Sequence, residues 1–175
     1  LLPRMHADAF DPFKAAELAA ELGVISAAHL LLVSDKGIEM LAERGVIAEL
    51  LPGVPFFTAF VRYAPARKML ENGVKVALAT GCNPGGCMTE SLPLIMTIAC
   101  TQMRMSPAEA IIGVTAQAAR ALGLFERIGS LEVGKQADVV ILDIPNYQYL
   151  PYHFGVNHVN YVIKNGKIVQ ERQSF

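Results

Sequence analysis

Three short, nearly continuous apolar runs separated by helix-length segments constrain this chain more than any other feature. The runs are Val24 to Leu32, Val46 to Leu51 and Val74 to Thr80. A strand with one wet face alternates apolar and polar residues. A strand apolar throughout is buried on both faces, as in parallel sheets whose crossover helices cover them. The intervening segments carry helix signals. Asp11-Pro12 predicts an N-cap with proline at the first helical position, followed by Phe13 to Leu22 and a stop at Gly23. A second helix is predicted over Asp35 to Arg44, ending at Gly45, and a third over Ala64 to Leu70, ended by Asn72-Gly73. Pro52-Gly53-Val54-Pro55 reads as a loop. The predicted architecture is a tandem of βα units.

Past Thr80 the chain enters the turn Gly81 to Gly86, and two further helices come after it. The second opens on Ser106-Pro107-Ala108-Glu109, a capping box with proline at the first helical position, and runs to Leu122 before Gly123. From Gly129 the pattern changes to short β-branched runs, Ala137 to Asp143 and Tyr161 to Gln170, the latter folded at Asn165-Gly166. Pro145 to His158 reads as a loop between them. These shifts divide the chain into 1–128, α/β, and 129–175, a small β appendage. No fixed-period repeat or low-complexity segment is present.

The length, 175 residues, suits one domain with a small appendage. Its 53% hydrophobic and 18% charged residues lie above and below the roughly 45–50% and about 25% usual for soluble domains. Mean hydropathy is correspondingly high at +0.36. Such a chain buries much of itself or covers its apolar faces with a partner. A net charge of −1 provides no basic stripe for phosphates, which argues against nucleic acid as a partner. Cys82, Cys87 and Cys100 do not make an even disulfide framework, and a reducing, cytoplasmic setting is expected. No signal-peptide pattern and no run of ~18 apolar residues is present, so no membrane association is expected. The opening Leu1-Leu2-Pro3-Arg4, without an initiator methionine, reads as that of a fragment.

In a parallel α/β architecture ligands gather where the strands end and the βα loops converge. His6, His29 and Gly81 each fall at or just past such an end. Two histidines placed so are either part of a shared site or merely satisfied core residues, and they cannot complete a metal site, which takes three protein ligands or more. Cys82 and Cys87 form C-x4-C without a second pair, which does not make a structural zinc site. The glycine turn is interrupted by Pro84 and has no dinucleotide-binding spacing. Met96, Met103 and Met105 read as core filling, and His153 and His158 as surface or packing residues.

Several motifs together carry a more specific reading. They are His6-Ala7-Asp8-Ala9-Phe10, Ser26-Ala27-Ala28-His29-Leu30, Tyr63-Ala64-Pro65-Ala66-Arg67-Lys68, Asn83-Pro84-Gly85, Gly129-Ser130-Leu131-Glu132-Val133-Gly134-Lys135-Gln136-Ala137-Asp138 and Tyr152-His153-Phe154-Gly155. Through them most of the chain resembles the C-terminal half of the imidazolonepropionase family of metal-dependent amidohydrolases. The resemblance implies an α/β fold that is the C-terminal half of a (β/α)8 barrel, about four βα units, with a helical extension and part of a small β domain. It implies His6 as the metal-binding histidine of the fifth barrel strand. His29 corresponds to the sixth-strand histidine that polarises the substrate carbonyl or handles protons. Asn83, Gly85 and Gly86 correspond to the turn that contacts substrate.

The implied cofactor is Zn or Fe. The implied chemistry is hydrolysis of the cyclic amide of 4-imidazolone-5-propanoate to N-formimidoyl-L-glutamate, a small-molecule reaction of histidine degradation. The chain departs from the family pattern where that chemistry is done. The family has His-Ala-Asp-Glu-Phe, and here Ala9 replaces the Glu; the family has a metal-binding Asp after Thr80, and here Gly81 stands in its place. Ala28 is a weaker departure, at a position often acidic or small and polar. The expectation is a chain inactive by itself, either a pseudoenzyme or inactivated fragment, or an amidohydrolase using other ligands. The alternative is a non-catalytic binding or assembly module. In either case self-association, or pairing with a complementary half barrel, is expected because half a barrel leaves two sheet edges uncovered.

Overall fold

The structure, a computed structural model, describes residues 2–172. Its centre is a four-stranded sheet of β1 (Arg4–Ala7), β2 (Ser26–His29), β3 (Ile47–Leu50) and β4 (Val76–Leu78), laid side by side in chain order and parallel throughout. The sheet is open; β1 and β4 do not meet. Each strand is shorter than its apolar run because the ends of the runs are used in connections. Val24 N–H closes onto Ala19 O at 3.2 Å, and Leu30 N–H reaches across to Ala7 O at 3.0 Å.

Small residues dominate the strands, and their alternation sorts the faces. Ala7, Ala27, Ala48, Leu50, Val76 and Leu78 enter the main core with the helices. His6, Ser26, Ala28, Ile47, Glu49 and Ala77 alternate to the other, inner face, where Ile47 and Ala77 bury against Ala121. Part of that face is therefore already out of water within one chain.

The helices α1 (Ala15–Leu22) and α2 (Asp35–Arg44) end at Gly23 and Gly45, both left-handed, as their positions predict. Ser34 caps α2 by accepting Gly37 N–H at 2.9 Å. The expected cap of α1 is corrected. Asp11-Pro12 does not start the helix; Asp8 does so from farther back, its two carboxylate oxygens each accepting an amide at 3.0 Å, from Ala15 and Ala16. A side chain already buried at the strand end reaches the first turn, and the helix begins later than the Asp-Pro signal. The segment after β3, expected as a loop, forms the short helix α3 (Gly53–Phe57). Helix α4 (Ala66–Glu71) precedes β4.

After β4 come α5 (Leu92–Gln102) and then α6 (Pro107–Ile112), a π turn (Gly113–Gln117) and α7 (Ala118–Ala121) without interruption. The expected capping box is present: Ser106 Oγ accepts from Glu109 N, and Glu109 Oε2 accepts from Ser106 N at 2.7 Å. Gly113 sits where a Cβ would come within 3.1 Å of Leu78 Cγ, so a larger residue would push Leu78 aside by a few tenths of an ångström and glycine lets this helix approach β4 without that shift. Beyond α7 lies a separate antiparallel sheet of β5 (Val139–Leu142), β6 (Val159–Lys164) and β7 (Lys167–Glu171). Asn165 and Gly166, at φ 51° and 74°, make its hairpin turn. The connection 145–158 is not all loop: it holds the short helix α8 (Tyr149–Tyr152), which docks on α5, with Thr97 Oγ1 donating to Pro151 O at 3.0 Å. His158 is buried, its Nε2 3.0 Å from His153 O, a packing role as expected.

Arg67 of α4 grips Glu109 of α6 through both terminal guanidinium nitrogens, tying the helices between the parallel strands to the later helices. The Arg67 hydrogen bonds above all, with help from the Ser106 amide and hydroxyl and against the opposing effect of partial burial, hold the Glu109 carboxyl down from 4.5 to about 2. The folded value lies below the unfolded one, so this contribution to stability is present above pH 4.5 and is lost as pH falls towards 2. The urea midpoint is expected to fall across that window and to fall less steeply in Arg67→Ala. Parallel pH profiles for the two proteins would show that the pair does not carry the effect.

Candidate functional site

Continued alternation would place the His29 side chain on the helical side of the sheet with Ala27. Instead the chain turns left-handed at two successive non-glycine residues, His29 (φ 74°) and Leu30 (φ 56°), a conformation that costs on the order of 1–3 kcal/mol per residue. It is held by burial of Leu30, which is fully out of water, and by the Leu30 N–H to Ala7 O bond. The consequence is a meeting of the two imidazoles at the carboxyl ends of β1 and β2. His29 Nε2 lies 3.0 Å from His6 Nδ1, with ring centroids 5.0 Å apart and planes tilted by 45°.

Burial first, and the neighbouring His6 second, lower the pKa of His29 from 6.5, so its ring is neutral at pH 7. His29 Nδ1 is buried without a hydrogen-bond partner. A buried lone pair costs less there than a buried N–H, so the proton belongs on Nε2, which donates to His6 Nδ1.

The turn past the end of β4 is closed on itself. Gly81 is left-handed at φ 61°, and a Cβ there would come within 3.2 Å of Leu51 Cδ1. Asn83 organises the rest of the turn: its Nδ2 donates to Gly81 O at 2.7 Å, and its Oδ1 accepts from Gly85 N and Gly86 N at 2.9 and 2.8 Å. Asn83 and Cys87 exchange backbone bonds of 3.0 and 3.3 Å. Sequence reasoning places His6, His29, Asn83, Gly85 and Gly86 in one site. The structure joins the first two to each other and the last three to each other.

Among the described residues no three His, Cys, Asp or Glu side chains converge on a common point. His6 and His29 offer two imidazoles, one nitrogen of each already in the hydrogen bond between them, while Ala9 and Gly81 offer no donor. Asp8, next to Ala9, is buried and fully engaged with the amides of α1. These residues do not fit a metal centre, which needs three protein ligands or more.

Two polar residues gain importance only in the structure. Asp8 stands out in the sequence merely as part of its motif, although an acid between a strand end and a helix start is a natural remote cap. Glu49 is hidden inside the apolar run 46–51, yet it is the only acid in the four parallel strands and faces inward. Its register between Ala48 and Leu50, both core residues, was the available signal.

Comparison with known proteins adds ancestry to this geometry. The model of the Amidohydrolase family matches residues 6–169. The imidazolonepropionase of Geobacillus sp. (strain WCH70) is 54% identical over 97% of this chain and 40% of its own length. That of Brevibacillus brevis is 55% identical, and that of Treponema denticola 52%, over 97% of this chain in each case. The chain thus spans about two fifths of the length of these relatives. Among solved structures, a zinc-bound adenosine deaminase from Xanthomonas campestris superposes with a TM-score of 0.77 at 24% identity, over 96% of this chain and 45% of the other. A 5-methylcytosine deaminase from Klebsiella pneumoniae superposes with a TM-score of 0.80 at 20% identity, over 99% of this chain and 49% of the other. At such identities the superpositions speak for the fold.

Asp8→Ala leaves two amides of α1 without acceptors in a buried setting. Loss of a helix cap costs about 0.5–2 kcal/mol, and burial places this one at the upper end. Asp11→Ala, at an exposed position without such bonds, is expected to change stability by under about 0.5 kcal/mol. Urea denaturation of both variants measures the difference, and equal effects would restore Asp11 as the cap.

Proposed function

We propose, from the premise that this chain belongs to the amidohydrolase family, that it is the C-terminal half of an imidazolonepropionase-type barrel that needs a complementary half to do chemistry. The observation that carries this reading is identity of 53–55% over 97% of the chain to several imidazolonepropionases, together with histidines at the ends of its first two strands. In this reading residues 1–128 are the half barrel with its helical extension and 129–175 belong to a small β domain. The whole protein would act in the cytoplasm on 4-imidazolone-5-propanoate, giving N-formimidoyl-L-glutamate.

The residues have assigned parts in that reaction. His6 stands where a metal-side imidazole belongs, with Zn or Fe as the ion of the complete enzyme. His29, neutral at pH 7, would redirect its Nε2–H from His6 Nδ1 to the substrate carbonyl oxygen and polarise it without carrying charge itself. The turn of Asn83, Gly85 and Gly86 presents a rigid backbone surface to the substrate, its own polar groups mutually satisfied. The donors in this chain do not hold the metal alone, and the carboxylates that would take up a proton are Ala9 and Gly81 here.

The chain by itself is therefore expected not to hydrolyse imidazolone propanoate. A missing general base alone removes about 10²–10⁴-fold. Assay of N-formimidoyl-glutamate release by the isolated chain tests this, and turnover within that factor of a complete imidazolonepropionase would overturn it. Gly81→Asp with Ala9→Glu is expected to restore nothing until an N-terminal half is added.

The assembly part of the proposal draws on the free edge of β1 and on exposed apolar side chains in the first two dozen residues. Leu2, Phe13, Leu18 and Leu22 are all exposed, Phe13 by 81%. Each large apolar side chain left in water forgoes roughly 1.5–3 kcal/mol. Light scattering is expected to show self-association, or a complex when an N-terminal half is supplied. A folded monomer at high concentration that binds no hydrophobic dye would count against it.

A further inference from the structure

We propose that the cavity between the small antiparallel sheet and α8 binds a zwitterion of the α-amino-acid class with an aromatic side chain, held by His158, Asp143 and Arg172. The cavity has a volume of about 390 Å³, within the roughly 300–1,000 Å³ usual for small-ligand sites. Asp143 and His158 stand side by side at one end of the sheet, where Asp143 N–H donates to His158 O at 2.8 Å. Arg172 lies one strand farther on at the same end, its N–H donating to Asn160 O at 2.8 Å. Two strand spacings of ~4.8 Å and an offset of two residues along β6 put the Asp143 and Arg172 Cα atoms on the order of 12 Å apart, so one small molecule fits between the two side chains.

The centre of the site is a buried imidazole used on one side alone. His158 is 7% exposed, and its Nε2 lies 3.0 Å from His153 O. A carbonyl only accepts, so Nε2 carries the proton and Nδ1 of the neutral ring is a lone-pair acceptor. That Nδ1 has no partner among the described residues and is not sealed from solvent. Its open side is the cavity that the ring lines. Two opposite charges line the same cavity, and among the described residues Asp143 and Arg172 form no ion pair with each other or with any neighbour. The set is thus two acceptors and one forked cationic donor. An ammonium group meets Asp143 and His158 Nδ1, while a carboxylate meets the guanidinium fork. A simple anion would be repelled by Asp143 and a simple cation by Arg172, so the ligand that satisfies the site carries both charges. Tyr149, its ring 5.7 Å from that of His158 and 5.2 Å from that of His153, completes the wall with Ile144, Pro145 and Val156. Such a wall suits a flat apolar side chain.

The site uses none of the residues of the hydrolytic reading, so the two stand or fall separately. The test is a two-dimensional amide NMR titration of the full chain at pH 7 with three probes: L-phenylalanine, N-acetyl-L-phenylalanine, which lacks the ammonium, and phenethylamine, which lacks the carboxylate. Saturable shifts centred on Asp143, His158 and Arg172 are expected with phenylalanine, with each analogue binding at least tenfold more weakly. Asp143→Asn is expected to weaken phenylalanine at least tenfold while leaving the acetyl analogue unchanged. Arg172→Gln is expected to weaken phenylalanine as much while leaving phenethylamine unchanged. No saturable shift at these residues, an analogue that binds as well as phenylalanine, or phenylalanine binding unchanged by either substitution would each overturn the proposal. The analogue comparison uses the unaltered chain, so it decides even if a variant misfolds.

Discussion

The Asp8 carboxylate holds together the end of the sheet where everything of functional interest lies. Its two oxygens take the first amides of α1, and its own carbonyl accepts Leu32 N–H at 3.0 Å from the connection after β2. One residue thus joins β1, α1 and the β2–α2 loop. It does so in a left-handed conformation, φ 44°, that Asp tolerates better than most residues. Because Asp8 lies two positions past His6 and its carbonyl fixes the chain just beyond His29, the separation of the two imidazoles is inherited from this knot. Charge without a counter-ion is tolerable there because the carboxylate faces the amide end of a helix.

Much of this was legible in the sequence. Parallel βα units are implied by strands apolar on both faces, the ends of α1 and α2 by Gly23 and Gly45, the capping box by Ser106 and Glu109, and the hairpin by Asn165-Gly166. What escaped depends on contacts between residues distant in sequence. The true cap of α1 lies seven and eight residues before the amides it serves, and a local signal at Asp11 outshone it. The helices α3 and α8 are short and stabilised by docking, α8 through Thr97, so a window of local residues with Pro and Tyr reads as loop. The inward aim of Glu49 needed the strand register, which alternation with Ala48 and Leu50 could have supplied.

At the site, the sequence located His6 and His29 at strand ends but could not foresee that they touch. The left-handed pair His29-Leu30 is not dictated by residue type, since Leu disfavours that conformation even where His tolerates it; tertiary burial of Leu30 imposes it. Likewise the Asn83 turn reads as a surface for ligands, whereas its polar groups bond first to one another. The strand ends and their turns are packed as a framework in which Ala9 and Gly81 offer no side-chain donor or acceptor. Packing constraints and chemical constraints fall on different residues.

The π turn between α6 and α7 adds a further consequence. A π turn accommodates one residue more than an α-helical turn, and each residue in an α-helix turns the next side chain by about 100°. The wide turn therefore sets the phase that brings Ala121 onto Ile47 and Ala77 while Gly113 stays against Leu78. Removing that one extra residue would regularise the helix and leave its far end in phase with the sheet, whereas inserting another would rotate the far end off it by about 100°. Apart from Gly113, this stretch is consequently constrained more by its length than by its side chains, and a change in the reading frame of the helix is felt at Ala121, far from where it is made.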